Sequence, residues 1–158
     1  MTSPERIVFP AKFVWGSSTA AAQVETATDH PWRGLRAKDG SVFDRTTEHE
    51  KHRLEDAEYI IRFGSIYRCS VDWCRLQTEP FGKFNPAVVQ EYREFFDHLQ
   101  ARGTGLMLVL HHFAHPNWFE AIGGFTQEDN IPMFLDYVRQ CIKHFGGYVR
   151  YWNTFNEP

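Results

Sequence analysis

A chain of 158 residues is long enough for one domain with its own core, and a chain of this size buries roughly 70% of its unfolded surface. Hydrophobic residues make up 42% and charged residues 23%, the balance of a globular chain, and no run reaches the length of a membrane span. A net charge of −3 argues against nucleic acid or an anionic membrane as partner.

Phe9-Pro10 leads into Phe13-Val14-Trp15-Gly16, which reads as a first strand stopped at Gly-Ser-Ser. After Ala20-Ala21-Ala22 come Gln23 and Glu25, able to hydrogen-bond a ligand or to face water. The polar stretch from Thr26 to Glu50 reads as a long βα loop, a length often tied to a site. The charged run Glu48–Arg53 suggests a solvated helix start, and Leu54, Ala57, Ile60 and Ile61 recur at helical spacing until Gly64.

Ile66–Val71 reads as a second, buried strand. Arg68 within it needs an anionic partner, because a lone buried cation is costly; that partner is either a structural Asp or Glu or a catalytic carboxylate. Asn85 and Pro86 form an N-cap and first helical position, Val88, Val89, Tyr92, Phe95, Phe96 and Leu99 a buried stripe, and Gly103 the C-terminal cap. Leu106–Leu110 is a continuous apolar run suited to a parallel strand covered on both faces, and it delivers His111, His112 and His115 at its end. Met133, Phe134, Tyr137, Val138, Cys141, Ile142 and Phe145 mark a third long helix stopped by Gly146-Gly147, and Val149–Phe155 a fourth strand.

The order β-α-β-α-β-α-β predicts an α/β fold with a parallel sheet and helices outside it. Gln23, Arg68, His112 and Glu157 fall at or near strand C-termini, where α/β barrels place their sites. Glu157 precedes Pro158, which predicts extended backbone at the glutamate. Side chains alternate along a strand, so Asn156 and Glu157 share a face only if a bulge or the strand end re-aims one of them.

Four segments in this order resemble glycoside hydrolase family 1, the β-glucosidase family. They are Phe9 to Gly16 with Gln23-Val24-Glu25, Tyr67 to Arg75, Leu110 to Pro116, and Trp152-Asn153-Thr154-Phe155-Asn156-Glu157-Pro158. The resemblance spans nearly the whole chain. It departs at Cys69, where an aromatic is usual, at Cys74, where a small polar residue is, and at Thr26, which replaces a glycine.

The resemblance implies the first four strands of a TIM (β/α)8 barrel, with residues 1–158 as a single partial domain. It implies a retaining β-glycosidase acting on O-glycosidic bonds of β-glycosides. Glu157 would be the general acid/base, Asn156, Gln23 and His112 would bind sugar hydroxyls, and Arg68 would support the nucleophilic carboxylate. No metal or cofactor is implied. A retaining enzyme needs two carboxyls about 5–5.5 Å apart, and the family's nucleophile lies beyond the fourth strand. The isolated chain is therefore expected to be inactive, and either to self-associate or to need a C-terminal half-barrel. Three cysteines without metal-site spacing, and no apolar signal stretch after Met1, point to reduced thiols and a cytoplasmic location. Two other readings are a metal-dependent hydrolase built on His111, His112 and His115, and a non-catalytic sugar-binding or scaffold half-barrel.

Overall fold

The computed structural model describes residues 7–26 and 29–158. Expectations for the segment after Met1, and for positions 27–28 of the long loop, lie outside the described residues. Strands β1 (Gly16–Ser18), β2 (Ile66–Ser70), β3 (Gly105–His111) and β4 (Val149–Phe155) lie side by side in that order, and every neighbouring pair is parallel. Between them run helices α1 (Ala21–Val24), α2 (His49–Phe63), α3 (Trp73–Leu76), α4 (Pro86–Ala101), α5 (Asn117–Ala121) and α6 (Ile131–Phe145).

α4 begins where the sequence places it. The Asn85 side chain accepts from Ala87 N at 3.0 Å, and Pro86 opens the first turn, where a missing N–H costs nothing. Its buried stripe, Val88 to Leu99, is the predicted one. α6 buries Phe134, Tyr137, Cys141 and Phe145, but Ile142, expected on the same face, is exposed. Alternate residues of β2 and β3, Tyr67, Cys69, Leu106, Leu108 and Leu110, meet these helices in one core. Trp73 stacks on Tyr137 at 4.5 Å and joins the core's two halves. Each fully buried aromatic or Leu side chain contributes about 1.5–3 kcal/mol.

Three expectations need correction. Regular pairing of β1 starts at Gly16, where the sequence suggested it would stop. Phe9, Phe13 and Trp15 instead pack on one another, and the Trp15 carbonyl accepts from Ser65 N at 2.9 Å. The start of α2 is not a solvated charged turn, because His49 and Arg53 are buried. Leu54 is exposed, so the inward face runs His49, Arg53, Ala57, Ile60.

Arg53 is buried because it is paired. It donates to Glu25 at 2.9 Å and to Glu91 at 2.8 Å, and its guanidinium lies 4.5 Å from the centre of the Tyr92 ring. Arg75 reaches the same two carboxylates, and the Tyr92 hydroxyl bonds Glu25 at 2.7 Å. Burial raises the Glu25 pKa while the Arg53 charge pulls it back. The network ties the C-terminal end of α1 to α2, α3 and α4. Glu25 therefore anchors the segment that carries Gln23 rather than facing water.

Candidate active site

The site gathers at the C-terminal ends of the strands. β4 ends at Phe155, and the N–H of Asn156 donates to the His111 carbonyl at 3.0 Å, the last tie to β3. Glu157 then turns to φ +50. The extended backbone expected before Pro158 does not occur there. The left-handed turn swings the chain out of the strand direction, which is how Asn156 and Glu157 come to line the same cleft. Phe113, at the corresponding end of β3, also has a positive φ, +71. Non-glycine residues in this region carry strain, which concentrates at functional sites.

That cleft has a volume of about 590 Å3 and is lined by Trp32, His111, Phe113, Phe125, Phe155, Asn156, Glu157 and Pro158. A smaller hollow of about 90 Å3, containing Gln23 with Ala22 and Phe43, shares its Trp32 and Phe113 walls. The two aromatic rings stand 6.1 Å apart. Gln23 and Glu157 thus open onto one continuous rim through the same pair of rings.

Arg68 is half-buried in β2 and reaches across to β4. Its Nη2 donates to Asn156 Oδ1 at 2.6 Å and its Nη1 to Ser18 Oγ at 3.3 Å. Its hydrogen-bond partners among the described residues are an amide and a hydroxyl, not the anionic group expected from the sequence. His112 is buried, with Nδ1 unpartnered among the described residues. Burial first, then the Arg68 charge, lowers its pKa to about 4. His112 is therefore a neutral imidazole near pH 7; its Nδ1 is shut off from solvent, so a ligand hydroxyl can meet it only at Nε2.

The three histidines do not form a metal-ligand set. His111 Nε2 lies 3.2 Å from His115 Nδ1, and His115 Nε2 lies 2.8 Å from Glu120 Oε2. These two rings are committed to each other and to Glu120, while His112 stands with Phe113 and the Arg68 charge. Among the described residues no group of three or more His, Cys, Asp and Glu side chains is placed to hold a metal.

Gln23, Arg68, His112, Asn156 and Glu157, each singled out from the sequence, are brought to one end of the sheet. Trp32 and Phe113 were not foreseen as site residues, and His111 was foreseen only as one of three metal ligands. Trp32 lies in a loop read as polar, and its only signal was an aromatic inside that stretch. The cysteines are all buried and unpaired, and burial pushes the Cys141 thiol up to about 12. Thiols so raised are poor nucleophiles.

Three comparisons bear on this arrangement. The sequence profile of Glycosyl hydrolase family 1 matches residues 5–158. The chain is 31% identical to 6-phospho-beta-glucosidase GmuD of Bacillus subtilis, covering 100% of this chain and 37% of the relative. It is 32% identical to Beta-glucosidase 3 of Arabidopsis thaliana, covering 94% and 31% respectively. Among solved structures, the family 1 β-glucosidase from Thermotoga maritima superposes with a TM-score of 0.87 at 28% identity, over 95% of this chain and 37% of that one. The chain thus spans about a third of the length of the relatives it matches, and its four parallel strands are an incomplete TIM barrel.

Proposed function

The chain belongs to glycosyl hydrolase family 1, and from that premise we propose that it is the acid/base-bearing portion of a retaining β-glycosidase of the β-glucosidase kind. Its substrates are β-glycosides, cleaved at the O-glycosidic bond. Glu157 serves as general acid, protonating the leaving oxygen, and then as general base toward water. Asn156, Gln23 and His112 hold sugar hydroxyls. Arg68 orients Asn156 and supplies positive charge beside the place where the attacking carboxylate must stand. Residues 1–158 act as one partial barrel domain, and the buried, unpaired cysteines suit a reducing, cytoplasmic setting.

The observation that carries this reading is the junction at Glu157. A carboxyl is turned by a left-handed residue into a cleft beside an amide already held by Arg68. Glu157 is the single carboxylate among the described residues lining the two clefts. Double displacement needs a second one about 5–5.5 Å away. The 158-residue chain alone is therefore inactive in this reading, and its partner is a C-terminal half-barrel that brings the nucleophile.

The test is hydrolysis of an aryl β-glucoside by the chain alone, and after mixing with the C-terminal half of the Thermotoga maritima enzyme. Hydrolysis should appear on mixing and fall about 100-fold or more with Glu157→Gln, the usual cost of losing a general acid. The lone carboxylate also fits a non-catalytic sugar-binding half-barrel. That second reading is correct if no added half restores hydrolysis while sugar binding survives Glu157→Gln.

A further inference from the structure

His111 stands on the wall of the larger cleft, between the rings of Phe125 (4.9 Å) and Phe155 (5.4 Å). The roles proposed above make no use of it. Its hydrogen bonds fix where its proton lies. A carboxylate only accepts, so Glu120 takes the Nε2 proton of His115 at 2.8 Å. A neutral imidazole that donates from one nitrogen accepts at the other, so His115 Nδ1 accepts from His111 Nε2 at 3.2 Å. His111 then has an unprotonated Nδ1. This nitrogen makes no hydrogen bond within the described residues and is not among the polar atoms shut off from solvent. The opposite polarity would put protons on both nitrogens of His115 and move the His111 proton to Nδ1, which the first measurement below distinguishes. Burial first, then His115 and His112, takes the His111 pKa down to about 4.

The cleft is divided in character. Asn156 and Glu157, and Gln23 in the adjoining hollow, give it a polar side, whereas Phe125 and Phe155 make the His111 side aromatic. A sugar ring with several hydroxyls suits the polar side. A planar aglycone suits the aromatic side, where edge and face contacts are available. A lone acceptor in such surroundings is costly to cover with an apolar group and rewards a donor.

We propose that His111, oriented through His115 by Glu120, is an aglycone-reading residue that accepts a hydrogen bond from a hydroxyl on the leaving group, so that the site favours hydroxylated aromatic β-glycosides over unhydroxylated ones. This rests on the glycosidase reading and names the half of the substrate which that reading leaves open. Glu120 and His115 act as positioning residues, and His111 touches the ligand.

Two measurements on the full chain test it. Long-range 15N–1H spectra of the histidine rings near pH 7 should show the His111 proton on Nε2, and Glu120→Gln, at an exposed position, should leave a mixture of tautomers. Isothermal titration should find 4-hydroxyphenyl β-D-glucopyranoside bound roughly threefold to tenfold more tightly than phenyl β-D-glucopyranoside, the worth of one neutral hydrogen bond. His111→Phe should remove that preference, by weakening binding of the hydroxyphenyl glycoside and no longer penalising the phenyl one. A proton on His111 Nδ1, a Glu120→Gln spectrum identical to wild type, or a preference that survives His111→Phe overturns the proposal. If wild type binds both glycosides equally, this inference fails and the glycosidase reading stands. If it binds neither, even with the C-terminal half of the Thermotoga maritima enzyme added, both fall.

Discussion

Two histidines side by side, both held neutral mainly by burial, make the residue scale the place to test the site's electrostatics. His111 and His112 each titrate at about 4 when folded against an ordinary 6.5, with burial the larger cause in both. The unfolded chain therefore binds more protons than the folded one between those values. Stability tied to these rings is complete above pH 6.5 and is lost as the pH falls toward 4. For His111 alone the loss should be about 1–2 kcal/mol after allowance for solvent screening. Buried Glu25 and Asp72, whose pKa values are raised, work in the opposite sense, so the absolute pH profile is mixed. Subtracting the profile of His111→Phe from that of wild type, by urea unfolding at matched pH, isolates the histidine. A difference that does not change between pH 6.5 and pH 4 would contradict the assignment of a buried neutral ring. The sequence placed His112, Asn156 and Glu157 just beyond the ends of β3 and β4, and the structure has them there, because the strands that deliver them were legible. It did not show that Arg53 pairs with Glu25, since charges 28 residues apart carry no local pattern.

Elements with a repeating pattern were legible, and single turns were not. β4 has the predicted bounds, and α4 starts at the predicted cap, because a seven-residue strand and a four-turn helix both leave a period in the sequence. α1, α3 and α5, at four to five residues each, are too short to show one. β1 was displaced because Phe13 and Trp15 looked like strand residues, while the backbone accepts pairing only where the glycines allow close approach. Gly64 shows why. A Cβ placed there would collide with the Trp15 carbonyl and come within 2.7 Å of Gly16 N, both rigid backbone atoms. Its φ of 168 is ordinary extended backbone, so the requirement is for space. Gly64→Ala should push β1 off β2 at a cost of about 1–3 kcal/mol, typical of overpacking. Because β1 is an edge strand, hydrogen exchange should accelerate at Thr19, whose N–H donates to the Arg68 carbonyl, while β3 and β4 amides stay protected. Uniform loss of protection, or none, would show that the glycine does not set the β1–β2 spacing.

At the scale of the whole molecule, the sheet is parallel, twisted by its own strands and closed on neither side. Among the described residues β1 pairs only with β2 and β4 only with β3, so both outer rows of backbone groups are unpaired within the sheet. The two ends also expose large rings: Phe9, Phe13 and Trp15 beside β1, and Tyr151 and Trp152 on β4. A closed barrel abolishes such edges, whereas an open sheet must blunt them or find a partner. β4 offers Arg150 as its one charge across seven residues, weak protection for a strand of that length. The 18.5 kDa chain should therefore sediment as larger species at tens of micromolar and move toward monomer on dilution. Replacing Tyr151 and Trp152 with lysine should favour the monomer while leaving the far-ultraviolet circular dichroism unchanged, since both side chains are about half exposed. Adding a C-terminal half-barrel should compete with self-association, because both would use the same edges. A compact monomer at every concentration, indifferent to these lysines, would mean that the edges are satisfied in some other way, and the case for a missing half as partner would lose its physical basis.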